Sequence, residues 1–125
     1  MDLQLSTADH GGGVATVEVA GEVVLSTAAA LKQALLETIV GGARRVLVDL
    51  SHATFIDSTT LGVLMGAVKR LRPAGGELAI ACNDPNIRKI FDITLLDRIF
   101  EIYPTPEEAL RHLSSGNGTA ATLND

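Results

Sequence analysis

Apolar and polar positions alternate along this chain in two different rhythms. Leu3 to Ala8 and Val14 to Ala20 are short strand-like runs, and in the second Ala15, Val17 and Val19 alternate with Val14, Thr16, Glu18 and Ala20. His10-Gly11-Gly12-Gly13 between them reads as a hairpin turn or loop, and Gly21 is expected to break the second run. Ser26 or Thr27 then sits where an N-cap belongs, ahead of a helix to about Thr38 with Leu31, Leu35 and Ile39 on one stripe. Gly41-Gly42 ends it.

Val46 to Leu50 is a short, nearly continuous apolar run, the pattern of a strand covered on both faces. A second helix follows over about Thr59 to Arg72, with Leu61, Leu64, Met65, Val68 and Leu71 on its core-facing stripe. Pro73 and Gly75-Gly76 stop it. Glu77 to Cys82 reads as another strand, and Asp84-Pro85 as an N-cap and first-turn proline opening a short helix that turns Ile87, Ile90 and Phe91 inward. Ile99 to Tyr103 is a last strand. Thr105-Pro106-Glu107-Glu108 combines an N-cap, a proline at the first helical position and a capping-box glutamate, starting a helix to about Leu113.

The order is therefore β-β-α-β-α-β-α-β-α, which predicts an α/β fold: a mostly parallel or mixed central sheet of four to five strands, helices packed on it, and an N-terminal hairpin. Residues 1–113 are read as one domain, and 114–125, rich in Gly, Ser, Thr, Asn and Ala without periodicity, as a disordered tail. In such sheets function gathers where strands end and helices begin. That directs attention to the segment between Leu50 and Gly62.

Charge and composition narrow the classes of partner. Ten Lys+Arg against fifteen Asp+Glu leave a net charge of −5, which opposes direct binding to nucleic acid or to an anionic membrane. Cys82 is the only cysteine, so there is no internal disulfide and no metal site built on Cys spacing. It reads as core filler first and as a redox-reactive thiol second. No basic segment followed by an apolar core opens the chain, and its longest apolar stretch, Leu61 to Val68, is far short of the roughly 20 residues a bilayer needs. A cytoplasmic protein is the expectation.

Enzyme classes fit poorly. Gly11-Gly12-Gly13 has neither the dinucleotide spacing nor a phosphate-loop lysine, and His10, His52 and His112 are scattered rather than paired at metal-ligand spacing. Ser58 is not in a nucleophile elbow, and its direct neighbour Asp57 is badly placed to orient His52. An aspartyl-phosphate receiver would need an acidic pair in the first strands to hold Mg²⁺ and a cation by the acceptor, and both are missing. No catalytic activity, metal or cofactor is expected of this chain.

What remains is Phe55-Ile56-Asp57-Ser58-Thr59-Thr60-Leu61-Gly62, with three hydroxyls and one carboxylate at a helix start. Taken alone it reads equally as a rich N-cap and as a functional site, since free N–H groups and the helix dipole there can receive a phosphate.

This run, with Val46-Leu47-Val48-Asp49-Leu50-Ser51 before it and Val63-Leu64 after, resembles the STAS domain of bacterial anti-sigma factor antagonists. Gly21-Glu22-Val23 and Ser26-Thr27-Ala28 match the same family, and the resemblance spans about residues 3 to 113. It implies a STAS fold and a phosphorylation-controlled partner switch with Ser58 as acceptor. Asp57, Thr59, Thr60 and Gly62 support the phosphosite or contact the partner. The implied partners are an anti-sigma factor that is a GHKL-type serine kinase and a PP2C-like phosphatase, with ATP and Mg²⁺ belonging to the kinase. The family also includes fixed subunits of lipid-transport ABC complexes and stress-signalling scaffolds, which need no phosphate cycle. The chain departs from the family pattern at Thr60, usually Gly, and at Val24, usually an Asp expected to line the partner face. Met65 reads as packing, and Arg44-Arg45 and Lys69-Arg70 with Arg72 as solvated charges at element ends.

Overall fold

A computed structural model describes the backbone of residues 3–123 and the side chains of residues 3–114. The elements follow the expected order: β1 (Gln4–Gly11), β2 (Val14–Val23), α1 (Ala28–Val40), β3 (Arg45–Ile56), α2 (Ser58–Leu71), β4 (Glu77–Ala81), α3 (Pro85–Ile93), β5 (Glu101–Tyr103) and α4 (Pro106–Leu123), with 3-10 turns after α2 and before β5. The strands form one sheet in the order β1-β2-β3-β4-β5. Only the β1–β2 hairpin is antiparallel; the other three pairings are parallel. A parallel pair needs a long crossover, which is why α1, α2 and α3 lie between the successive parallel strands β2 to β5.

Strand alternation divides the core. Val17, Val19, Val46, Val48, Leu50, Leu78 and Ile80 face α1, α2 and α3 in the larger cluster, completed by Leu31, Leu35, Leu64, Leu71, Ile87 and Phe91. Val14, Leu47, Ala79 and Ala81 face the other way, under Ala109 and Leu113 of α4. Val46–Leu50 of β3 and Leu78–Ala81 of β4 are buried on both sides, and that is why Val46 to Leu50 reads as a nearly continuous apolar run. Phe91 and Phe100 meet edge to face at 5.9 Å beneath α3.

Three boundaries differ from expectation. Gly21 does not end β2: at φ +98 it carries the strand through a register shift to Val23, a bulge that glycine accommodates. β3 runs to Ile56, not Leu50, because the end of β2 supplies a partner for it, pairing Val23 with Ile56. Exposed Ser51, His52 and Thr54 hid that extension from a hydrophobic pattern. Finally, α4 continues to Leu123 rather than stopping near Leu113. Periodicity does not register a helix that lacks an apolar stripe, and extending an existing helix avoids a new nucleation step. Residues 124 and 125 lie outside the described residues.

The helix starts follow the local signals. Asp84 Oδ1 accepts from the Asn86 amide at 2.8 Å with Pro85 in the first turn, and Thr105 Oγ1 accepts from the Glu108 amide at 3.2 Å. No helix among the described residues is long and apolar enough to cross a membrane.

Candidate functional site

Adjacent parallel strands β2 and β3 end together, and the loops that follow them meet at one end of the sheet. Asp57, in extended conformation, is the N-cap of α2, and its Oδ1 accepts from the Thr59 amide at 2.9 Å. The Asp57 carbonyl accepts from the Thr60 amide at 3.0 Å. Two first-turn donors are thereby satisfied by one residue, which fixes the turn in the way a good N-cap does.

The three hydroxyls have three different fates. Ser58 opens the helix, is exposed, and its hydroxyl makes no hydrogen bond among the described residues. Thr59 is partly exposed on the side facing α1. Thr60 is fully buried, and its Oγ1 donates to the Val23 carbonyl at 3.1 Å. Thr60 latches α2 to the end of β2 from beneath. Its burial comes from a strand 37 positions away in the chain, which no local motif reveals.

The neighbouring β2–α1 loop is held by Thr27. Its Oγ1 accepts from the Val24 amide at 2.9 Å and donates to the Glu22 carbonyl at 3.1 Å. Thr27 is the N-cap residue by position, yet its side chain braces the loop and leaves the helix uncapped. The Val24 carbonyl receives the amides of Thr27 and Ala28. Gly62 lies one turn into α2, exposed, and a Cβ placed there would meet nothing within 4 Å. Its lack of a side chain therefore answers to no packing need inside the chain.

Two apolar side chains missed by the sequence reading complete this end of the sheet. Phe55 is 49% exposed just before the site, and Leu25 is 77% exposed in the β2–α1 loop. Phe55 could have been noticed as one of only three phenylalanines, placed among polar residues at the end of a strand. The electrostatics are one-sided: Glu22 and Asp57 flank the site, and no Lys or Arg occurs in 21–31 or 46–68. A phosphate on Ser58 would add about −1.5 to −2 charges beside an existing carboxylate.

Other candidates stand apart from this cluster. His10, His52 and His112 do not converge, and among the described residues no group of three His, Cys, Asp or Glu could hold a metal ion. Cys82 is buried against the main core, where desolvation raises its thiol above the ordinary value, the opposite of an activated nucleophile. Asp49, also buried, spends Oδ1 on the Ser51 amide at 2.9 Å and the Ser51 hydroxyl at 2.6 Å.

The parallel sheet with an N-terminal hairpin and a hydroxyl-bearing helix start at its rim describes a known class. The STAS domain family model matches residues 6–109, and the chain belongs to that family. Among its relatives, the anti-sigma F factor antagonist of Paenibacillus polymyxa is 30% identical over 114 residues, covering 90% of this chain and 97% of that one. The anti-sigma-B factor antagonist of Listeria monocytogenes is 38% identical over 84 residues, 67% of this chain and 74% of the relative. A crystal structure of an anti-sigma factor antagonist from Mycobacterium paratuberculosis superposes with a TM-score of 0.83 at 30% identity, covering 90% of this chain and 95% of that one.

Proposed function

We propose that this protein is a cytoplasmic anti-sigma factor antagonist working as a phosphorylation-controlled partner switch. In the unphosphorylated state it binds an anti-sigma factor with a GHKL-type serine kinase fold through the face that carries Ser58, and the sigma factor is released. The kinase then transfers the γ-phosphoryl of its ATP: Ser58 Oγ attacks the γ-phosphorus, the bond to the β-phosphate oxygen breaks, ADP leaves, and the hydroxyl proton passes to a base on the kinase. A PP2C-like phosphatase hydrolyses the phosphoserine and resets the switch. ATP and Mg²⁺ belong to the kinase, and the chain performs no catalysis itself.

One observation carries this reading. At a helix start where Asp57 and Thr60 are both committed to the fold, the Ser58 hydroxyl is exposed and unengaged. A cap needs no such group. The names of the relatives add weight on the side of an anti-sigma factor as partner.

Release follows from charge. The phosphate arrives beside Asp57 on an acidic protein, and a tenfold loss of affinity needs only about 1.4 kcal/mol. Incubation with a GHKL-type kinase from the same organism and Mg-ATP should add one phosphate by intact mass, lost in Ser58→Ala and kept in Thr59→Ala. Phosphate mapped to Thr59 overturns the residue assignment. A complex that forms, stays unphosphorylated and survives ATP overturns the switch in favour of a fixed subunit.

A further inference from the structure

A second surface adjoins the Ser58 face and shares Thr59 and Gly62 with its edge. Because α1 and α2 each connect parallel neighbouring strands, they lie side by side with their N-termini at the same end of the sheet. Between them runs a groove of about 400 Å³, walled by Leu35, Leu36 and Ile39 of α1 and by Val63 and Ala67 of α2. Gly62 and Gly66, one turn apart on α2, are both exposed beside it, and a Cβ at either would meet nothing within 4 Å. Two glycines inside a helix oppose helix formation, and packing within the chain does not require them.

The groove is charged at its ends and apolar between. Lys32 lies in the N-terminal half of α1, beside Thr59 at the start of α2, while Arg70 lies in the last turn of α2. Both cations are exposed, and neither makes a hydrogen bond or ion pair among the described residues. No acidic side chain lines the groove. On a chain of net charge −5 this is a local reversal of sign.

We propose that the α1–α2 groove docks an acidic amphipathic helix of a partner protein. The occupant is a helix because the walls are helices whose backbone groups are already paired, so an extended peptide finds no ladder to join. Bare glycine positions on α2 let a third helix approach closely, apolar stripe inward. Thr59 to Arg70 spans roughly 16 Å along α2, so the partner contributes about three turns with a carboxylate near each end of its stripe. This surface stands on its own observations and does not depend on the identity of the partner bound at Ser58.

The test uses two stapled helices of about four turns. One carries leucine along a single stripe with glutamate at both ends; the other is identical but with lysine for glutamate. Each is titrated into the ¹⁵N-labelled full chain. The acidic helix should shift the amides of Leu36, Gly62, Gly66 and Arg70, bind at least about tenfold more tightly than the basic one, and weaken as salt rises from about 0.05 to 0.5 M. Gly66→Leu should fold with an unchanged or higher Tm and bind the acidic helix at least about tenfold more weakly. Equal binding of the two helices, shifts confined to another surface, or full affinity in Gly66→Leu overturns the proposal. Groove shifts with decanoate but with neither helix assign a small amphiphile and overturn it as well. So does a dimer in sedimentation that Gly66→Leu abolishes, which would make a second copy the occupant.

Discussion

The hydroxyl of Thr60 donates to the carbonyl of Val23 at 3.1 Å, across a fully buried junction between the first turn of α2 and the end of β2. Asp57 holds the same turn from its solvent side through the Thr59 amide. Ser58 lies between these two anchors, so its exposure is enforced by neighbours that cannot move independently. Docking on a rigid turn loses less conformational entropy than docking on a mobile loop.

Thr60→Val keeps the shape of the side chain and leaves the Val23 carbonyl without that donor. Urea unfolding should show a loss of about 1–3 kcal/mol, and Thr60→Ser, which keeps the hydroxyl, should lose less than Thr60→Val. Thr60→Gly removes the latch altogether and should change kinase affinity without changing which residue is phosphorylated. Equal stability of the Val and Ser variants would show that the bond does not hold the turn.

Ser58→Asp should keep the circular dichroism of the wild type and lose little stability, since a carboxylate in the first turn suits the helix dipole. Binding to the kinase should weaken by at least about tenfold, or about 1.4 kcal/mol, by calorimetry. Asp57→Ala removes the cap and should cost about 0.5–2 kcal/mol by urea unfolding. A Ser58→Asp variant that binds as tightly as wild type, together with authentic phosphoprotein that also stays bound, would reduce the hydroxyl cluster to a helix cap.

Two glycines should respond to alanine in opposite directions. At Gly66 a Cβ meets open space, so Gly66→Ala should stabilise the chain by up to about 1 kcal/mol through helix propensity. At Gly76 the same Cβ would run into the backbone carbonyl of Arg44, which is already bonded to the Glu77 amide at 2.9 Å. Backbone held on both sides cannot give way cheaply, and Gly76→Ala should destabilise by about 1–3 kcal/mol. Thermal melts of the pair decide it.

Alkaline pH should weaken the fold through Cys82. Burial raises its pKa above the ordinary 9.0, so the native thiol keeps its proton where the unfolded one loses it. The unfolded chain then binds fewer protons, and stability falls as pH rises past about 9. Tyr103, raised by desolvation and by Glu101 and Glu77, extends the effect above pH 10. The pH 8 to 10 loss measured by urea unfolding should shrink in Cys82→Ala, and native Cys82 should resist iodoacetamide until the chain unfolds. Rapid labelling of the native protein would contradict a buried, protonated thiol.

Much of this molecule was legible in short stretches of chain. Asp84-Pro85 and Thr105-Pro106 start helices where capping chemistry says they should, and the Leu61, Leu64, Val68 and Leu71 stripe is buried as its period demands. The position of the candidate site also follows from the sequence, because Asp57 and the hydroxyls after it are neighbours along the chain. The fates of those hydroxyls do not. Ser58 is exposed and Thr60 buried only because β2 ends beside α2, and β3 reaches Ile56 only because Val23 is there to pair with it. The contact that keeps Gly76 bare comes from Arg44, and the α1–α2 groove exists only once two separated helices lie side by side. Capping, turn chemistry and side-chain period act over a few residues and are written in the order of the chain. Burial, strand length and grooves arise between segments far apart in sequence, and only the packed sheet decides which of them meet.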